Sequence, residues 1–256
     1  MKMKDVKNVA VIFAGGSGAR MGSGIPKQFL EVDNKPILIH TLELFDDHPE
    51  IDEIYVACRE DYIPQLQKLV RKFMLTKVAG IVAGGATGQD SIYNGLMAAK
   101  ANNENAIVLI HDGVRPCINP EVISSNIASV KEYGTAITCT SMFETPVSSK
   151  DGKKIDFAPP RSEFYTAQAP QSFYLTDIIA VHDETRKVNP SYDGIVDSCS
   201  LMRASGKEVY IVEGPRGNIK VTTPEDLYIF RAMREYKQSV NILGLSKNEV
   251  KEGLKK

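Results

Sequence analysis

Residues Val11 to Leu30 read VIFAGGSGARMGSGIPKQFL. The apolar opening predicts a buried strand, and from Gly15 a run of small residues replaces it, carrying Arg20 and Lys27. A dinucleotide-binding turn needs Gly-x-Gly-x-x-Gly opening directly into a helix. Here Gly16-x-Gly18 is followed by Gly22, one position late, and then by Gly24, Pro26 and the second cation. A Walker loop needs Gly-Lys-Ser or Gly-Lys-Thr, and neither occurs in the chain. Read physically, a glycine loop after a first strand offers backbone N–H groups to a polyphosphate. Arg20 adds a forked donor and Lys27 a mobile point charge. Together they suit a triphosphate attacked at its α-phosphorus.

Working outward, NVAVIFA (8–14), IDEIYVA (51–57), VAGIVAG (78–84) and NAIVLIHD (105–112) read as strands. Helical patterns lie between and after them at Pro36–Asp46, Tyr62–Met74, Gly88–Ala101 and Pro120–Tyr133, the last with Asn119 at the N-cap position. This alternation predicts an α/β fold with a doubly wound, mostly parallel, Rossmann-like sheet, whose ligands bind at the carboxyl ends of the strands. TAITCTS (135–141) predicts a fifth strand. The proline-containing segment 142–173 has an Asp151-Gly152 turn signal and little helical periodicity, so residues 142–166 read as a protruding β-hairpin arm. An arm of this kind is unstable alone and needs a partner surface, most simply a second copy of the chain in a homodimer. EVYIVEG (208–214) reads as a late strand and 223–236 as a helix. Residues 1–236 thus form one domain, with 237–256 a tail expected to fray.

Composition narrows the function classes. The chain has 256 residues, 43% of them hydrophobic and 25% charged, and a formal net charge of -1. That balance predicts neither a nucleic-acid nor a membrane partner, and no apolar run approaches the ~20 residues that span a bilayer. The apolar run near the N-terminus is interrupted by Asp5 and Asn8 and enters a glycine loop at once, so it reads as a strand rather than a signal peptide. Cys58, Cys117, Cys139 and Cys199 are scattered, without metal-ligand spacing. They read as the reduced thiols of a cytoplasmic protein.

The segment FAGGSGARMGSGIPKQFL resembles the signature of the polyol-phosphate cytidylyltransferases, a group that includes enzymes for 2-C-methyl-D-erythritol 4-phosphate and for ribitol 5-phosphate. Four later blocks are similar to the family in the same order: GGATGQDSIYNGL (84–96), HDGVRPCI (111–118), PRSEFYTAQAPQSF (160–173) and GNIKVTTPEDL (217–227). The resemblance covers about residues 8–236. It implies a nucleotidyltransferase that uses CTP and Mg²⁺ or another divalent cation, transfers CMP to a polyol phosphate and releases pyrophosphate.

Carried over block by block, the resemblance implies that Ala14, Gly15, Gly16 and Gly18 hold the nucleotide, with Arg20, Lys27 and Lys220 as the catalytic cations. Gly84, Gly85 and Ser91 would face the cytosine. Asp112, Arg115, Thr145 and Arg161 would serve the acceptor, the last two reaching across a dimer. Asp112 lies where a carboxylate meets either the metal or a substrate hydroxyl, and by itself it reads equally well as a turn residue. His111 is not needed as a base, because the attacking phosphate oxygen is already ionised.

Three departures bear on the acceptor. HDGVRP replaces the His-Asp-Ala-Ala-Arg common in the methylerythritol enzymes, Glu144-Thr145-Pro146-Val147 replaces their Asp-Thr run, and Ala169 stands where a threonine is usual. Ala86 also stands where the isoprenoid enzyme often has an acidic residue. The balance favours D-ribitol 5-phosphate and surface-polymer synthesis, with methylerythritol phosphate and isoprenoid synthesis the alternative. A non-catalytic nucleotide-binding regulator and a nicotinamide oxidoreductase are readings from other classes. The first lacks a reason for so many cations, and the second lacks its fingerprint.

Overall fold

The computed structural model describes residues 6–16 and 24–242. Strand β1 (Lys7–Ala14) is the centre of the fold. It runs parallel to β4 (Glu53–Cys58) on one side and to β6 (Ala106–Asp112) on the other. The short hairpin β2 (Glu31–Val32) and β3 (Lys35–Pro36) stands apart from this sheet. Strand β5 (Val78–Ala83) extends the parallel half beyond β4.

Alternation along β1 winds the fold on both faces. Val9 and Val11 point to one face, Ala10 and Ile12 to the other, and all four are fully buried. Helices α1 (Ile37–Asp46), α2 (Ile63–Lys72) and α4 (Pro120–Tyr133) cover the face of Ala10 and Ile12. The opposite face packs against α3 (Gly88–Lys100), α5 (Leu175–Val188) and α6 (Ser198–Ala204). The expected mostly parallel α/β sheet is therefore present, and the first four helices lie within two residues of their predicted bounds. Asn119 does occupy the N-cap of α4, but its side chain makes no capping hydrogen bond.

The far half of the sheet departs from the sequence reading. Strand β7 (Thr135–Ser141) matches its expected bounds, but β8 (Tyr165–Tyr174) inserts between β6 and β7, antiparallel to both. Its run TAQAPQSF (166–173) carries no clear strand signal in the sequence, because polar residues and Pro170 disguise it. The polarity is satisfied internally. Ser172 Oγ donates to Asn126 Oδ1 at 3.0 Å, and Thr138 Oγ donates to the Pro170 carbonyl at 2.8 Å. The β7–β8 register shifts beside Thr138, so the ladder accommodates a residue with no N–H. Strand β9 (Ile211–Glu213), shorter than expected, closes the sheet parallel to β7. Helices α5 and α6 had no counterpart in the sequence reading, and α7 (Pro224–Ile242) runs six residues beyond the predicted end. The predicted start of the frayed tail at 237 therefore falls inside α7, while residues beyond 242 lie outside those described.

The arm turns where Asp151-Gly152 predicts. Gly152 has φ +70°, and Asp151 Oδ1 accepts from the N–H groups of Lys153 and Lys154. Its ladder is a single bridge between Ser148 and Phe157 rather than two regular strands. Phe143, Val147, Ile155 and Phe157 are exposed along it.

Helix α3 approaches β1 closely at Gly95, where an added Cβ would stand 2.6 Å from Val11 Cγ1 and 3.7 Å from Ala57 Cβ. Gly95→Val should therefore overpack this contact and cost about 1–3 kcal/mol. Chemical denaturation would show this as a lower midpoint with an unchanged slope; an unchanged midpoint would mean that the helix can stand off from the strand at no cost.

Candidate active site

Four loops meet at the carboxyl ends of β1, β5 and β6. The first leaves β1 at Ala14–Gly16 and returns through Lys27–Gln28. The second is the glycine segment 84–88, between β5 and α3. The third follows Asp112, and the fourth is 215–221, ahead of α7. The first three, with Lys220 of the fourth, line a cleft of about 480 Å³ that includes Gly15, Gly16, Lys27, Gly85, Ser91 and Asp112. A second cavity of about 520 Å³ shares Phe13, Thr87, Gly88, Asp112 and Lys220 with it and continues to Tyr192 and Asp197.

Gln28 shapes the first loop. Its buried Nε2 donates to the Ala14 carbonyl at 2.6 Å and to the Gly16 carbonyl at 3.1 Å. Ser91 joins the first loop to the second. Its hydroxyl donates to the Thr87 carbonyl at 2.9 Å and accepts from the Gly85 N–H at 3.0 Å. A Cβ on Gly15 or Gly84 would come within 2.8 or 2.9 Å of Ser91 Oγ, so both positions need glycine for close approach. Gly18 and Arg20 lie outside the described residues.

The cleft floor is a charge cluster. Asp112 Oδ1 pairs with Lys220 Nζ at 2.6 Å, and Oδ2 accepts from Arg115 Nε at 2.8 Å. Burial alone would raise the Asp112 pKa, but Lys220 and then Arg115 outweigh it and hold the carboxyl below its ordinary range. Asp112 is thus an anion held between two cations. Arg115 also donates through Nη1 to the Asn218 carbonyl at 2.8 Å, while Asn218 Nδ2 donates to the Ala169 carbonyl at 2.7 Å. The Val221 N–H reaches the Val114 carbonyl at 2.9 Å, which fixes the segment carrying Lys220.

On the outer side of Lys220 a shallower groove is lined by Arg115, Arg216, Asn218 and the first arm residues, Met142 to Glu144. Arg216 stacks on Phe143, its guanidinium carbon 4.4 Å from the ring centre. Thr145 and Arg161 line none of these three hollows. Arg161 Nη1 instead donates to the Phe143 carbonyl at 2.9 Å. The sequence motifs do not single out Gln28, Asn218 or Arg216, although each adjoins or falls in a quoted block; Gln28 stands next to Lys27, and Asn218 and Arg216 lie within four residues of Lys220.

Among the described residues no cluster of three or more His, Cys, Asp or Glu side chains could hold a metal ion, and Asp112 is the only acidic residue lining the glycine-lined cleft. All four cysteines are free, and burial pushes each thiol up to about 11. No helix among the described residues is long and apolar enough to cross a membrane.

His111 is fully buried behind Asp112, with Nε2 3.1 Å from the Arg115 carbonyl. Burial lowers its pKa from 6.5 to about 4, and His182 on α5 is lowered to about 4 for the same reason. Both are neutral at pH 7 and do not serve as acids there. Between pH 6.5 and 4 the unfolded chain binds protons that the folded chain refuses, so stability falls as pH falls, by up to about 1.4 kcal/mol per unit for each histidine. Urea unfolding from pH 7 to 5 should show this loss, and His111→Gln should make it shallower. A pH-independent midpoint would contradict the buried neutral state.

The family model described as IspD: 2-C-methyl-D-erythritol 4-phosphate cytidylyltransferase matches residues 8–235. The chain is 48% identical over 240 residues to a ribitol-5-phosphate cytidylyltransferase of Streptococcus agalactiae, covering 93% of this chain and all of the relative. It is 41% identical over 225 residues to a 2-C-methyl-D-erythritol 4-phosphate cytidylyltransferase of Clostridium botulinum, covering 87% of this chain and 95% of that one. The crystal structure of 4-diphosphocytidyl-2C-methyl-D-erythritol synthase from Anaerococcus prevotii superposes with a TM-score of 0.78 at 29% identity, over 90% of this chain and 96% of that one. The glycine loop, the Asp112 cluster and the Lys220 segment all fall within the matched span, and the chain belongs to the IspD family of cytidylyltransferases.

Proposed function

We propose that the protein transfers CMP from CTP to D-ribitol 5-phosphate, forming CDP-ribitol for a surface polymer and releasing pyrophosphate. The observation that carries the acceptor is the 48% identity to a ribitol-5-phosphate cytidylyltransferase along that protein's whole length. Methylerythritol phosphate, in isoprenoid synthesis, is the second reading, favoured by the 41% relative that bears that name.

An acceptor phosphate oxygen forms a bond to the α-phosphorus while the bond from that phosphorus to the bridging oxygen breaks, and pyrophosphate leaves with the electron pair. Ala14, Gly15 and Gly16, with Gly18 and Arg20 of the same loop, cradle the triphosphate. Gly84 and Gly85 lie beside the base, with Ser91 holding their loop. Lys27 and Lys220 neutralise charge that builds on the phosphates, an arrangement set before the reactants arrive. Arg115 and Arg216 border the groove on the acceptor side.

Asp112 is the one carboxylate lining the cleft among the described residues and is shared here with Lys220 and Arg115. It would be the residue to hold Mg²⁺, with the triphosphate supplying most of its other ligands, since Mg²⁺ commonly keeps few protein ligands. The ion would supply further neutralisation of the leaving pyrophosphate. Thr145 and Arg161 line none of their own chain's three hollows, which supports a homodimer in which they complete the partner's acceptor site. The exposed apolar side chains of the arm support the same arrangement. A cytoplasmic location agrees with four free cysteines.

Pyrophosphate release with CTP and each acceptor is the direct test. Ribitol 5-phosphate should give the higher kcat/KM; preference for methylerythritol phosphate would reverse the acceptor, and no turnover with either would overturn the reading. Lys27→Ala or Lys220→Ala should lose about a hundredfold in kcat, or ~3 kcal/mol. Mixing Lys27→Ala chains with Arg161→Ala chains should restore about a quarter of wild-type activity through heterodimers with one intact site. No recovery from chains shown to exchange would refute the shared site.

A further inference from the structure

Asp90, in the first turn of α3, uses its two oxygens in different directions. Oδ2 accepts from the Thr87 N–H at 3.2 Å and from Thr87 Oγ at 2.8 Å, closing the capping box at the helix start. Oδ1 accepts from Arg186 Nη1 of α5 at 3.0 Å. The glycine loop lies directly on this side chain, because a Cβ on Gly85 would come within 2.2 Å of Asp90 Cβ.

Arg186 is itself tightly located. Its guanidinium carbon lies 4.4 Å from the centre of the Tyr93 ring and 5.8 Å from that of Tyr192, and Nη1 is 3.4 Å from Tyr192 Oη. Tyr93 Oη donates to Asp183 at 2.7 Å, and Tyr192 Oη is paired with His182 Nδ1 at 2.7 Å. Tyr192 is buried with φ +56°, a conformation unusual for a bulky residue that its surroundings must hold. The guanidinium thus stands between two rings that neighbouring groups fix in turn. Arg186 lines neither large hollow, whereas Thr87 and Gly88 line both.

We propose that Arg186 is a positioning residue for CTP: acting through Asp90, it holds loop 84–88 in the form that receives the nucleotide. The proposal rests on the function proposed above. Lysine cannot reproduce the role, since it has neither the planar face that stacks on the tyrosines nor the forked donors. The effect belongs to nucleotide binding rather than to bond making, because the proposed reaction takes place by Lys27 and Lys220, in the cleft that Arg186 does not line.

The test is steady-state kinetics on wild type, Arg186→Ala, Arg186→Lys, Asp90→Ala and the double variant Arg186→Ala/Asp90→Ala, with thermal melts of each. Wild-type turnover of CTP comes first; its absence would overturn the function and this proposal together, and its presence isolates Arg186. Arg186→Ala should raise KM for CTP about tenfold, equivalent to ~1.4 kcal/mol, with kcat and the acceptor KM within about twofold. The double variant should be no worse than Asp90→Ala alone, as expected when one residue acts through the other. An unchanged CTP KM in a folded variant, equal rises in both KM values, or additive losses would overturn it. If Arg186→Ala does not fold, Arg186→Lys decides, by a CTP KM at least about threefold above wild type or an unchanged one.

Discussion

One carboxylate organises the end of the sheet. Asp112 is buried at the last position of β6, where an unpaired charge would be costly, so the fold must deliver partners to it. Arg115 comes from the next turn of chain, but Lys220 arrives from a segment more than a hundred residues later. Holding it there calls on the Val221–Val114 backbone bond, the Asn218 contacts to Arg115 and β8, and the cluster of Val114, Val221 and Phe230 beneath α7. Ion pairing around a buried carboxylate is a poor source of net stability. Its value here is placement: Lys220, which lines both cavities, and Arg115, which lines the second, are held at one carboxylate.

The glycine loops follow the same logic with neutral groups. Gln28 spends a single amide nitrogen on two carbonyls of the first loop, and Ser91 ties the second loop to α3 while packing against Gly15. In the function proposed above, carbonyl oxygens tethered in this way would not compete with a phosphate for the backbone N–H groups. An anion site assembled in advance loses less free energy to reorganisation when it is filled.

The parallel half of the fold was legible because its signals are local. β1 and β6 are near-continuous apolar runs, and α4 is framed by Pro120 and Gly134, the latter in the left-handed conformation. What escaped was β8, whose buried residues include Gln168, Gln171 and Ser172: Ser172 finds its partner in Asn126 of α4, and the Pro170 carbonyl is met by Thr138 of β7. Loops joined across the chain were equally silent. Asp112 could be placed at a strand end from its spacing, but not its sharing between Lys220 and Arg115. The role of Gln28 depends on a carbonyl geometry that no short-range pattern encodes. The block resemblance pointed to Lys220, which the structure places in the cleft beside Asp112, because family order carries long-range information that periodicity does not.

The arm leaves the sheet from β7 and returns as β8, and these two strands are hydrogen-bonded to each other. Its root is therefore a closed clasp. Because Ser141 pairs with Tyr165, changes of length or sequence between about 143 and 164 need not propagate into the strand register. Chains built on the same sheet can therefore differ in this stretch without a change in the core.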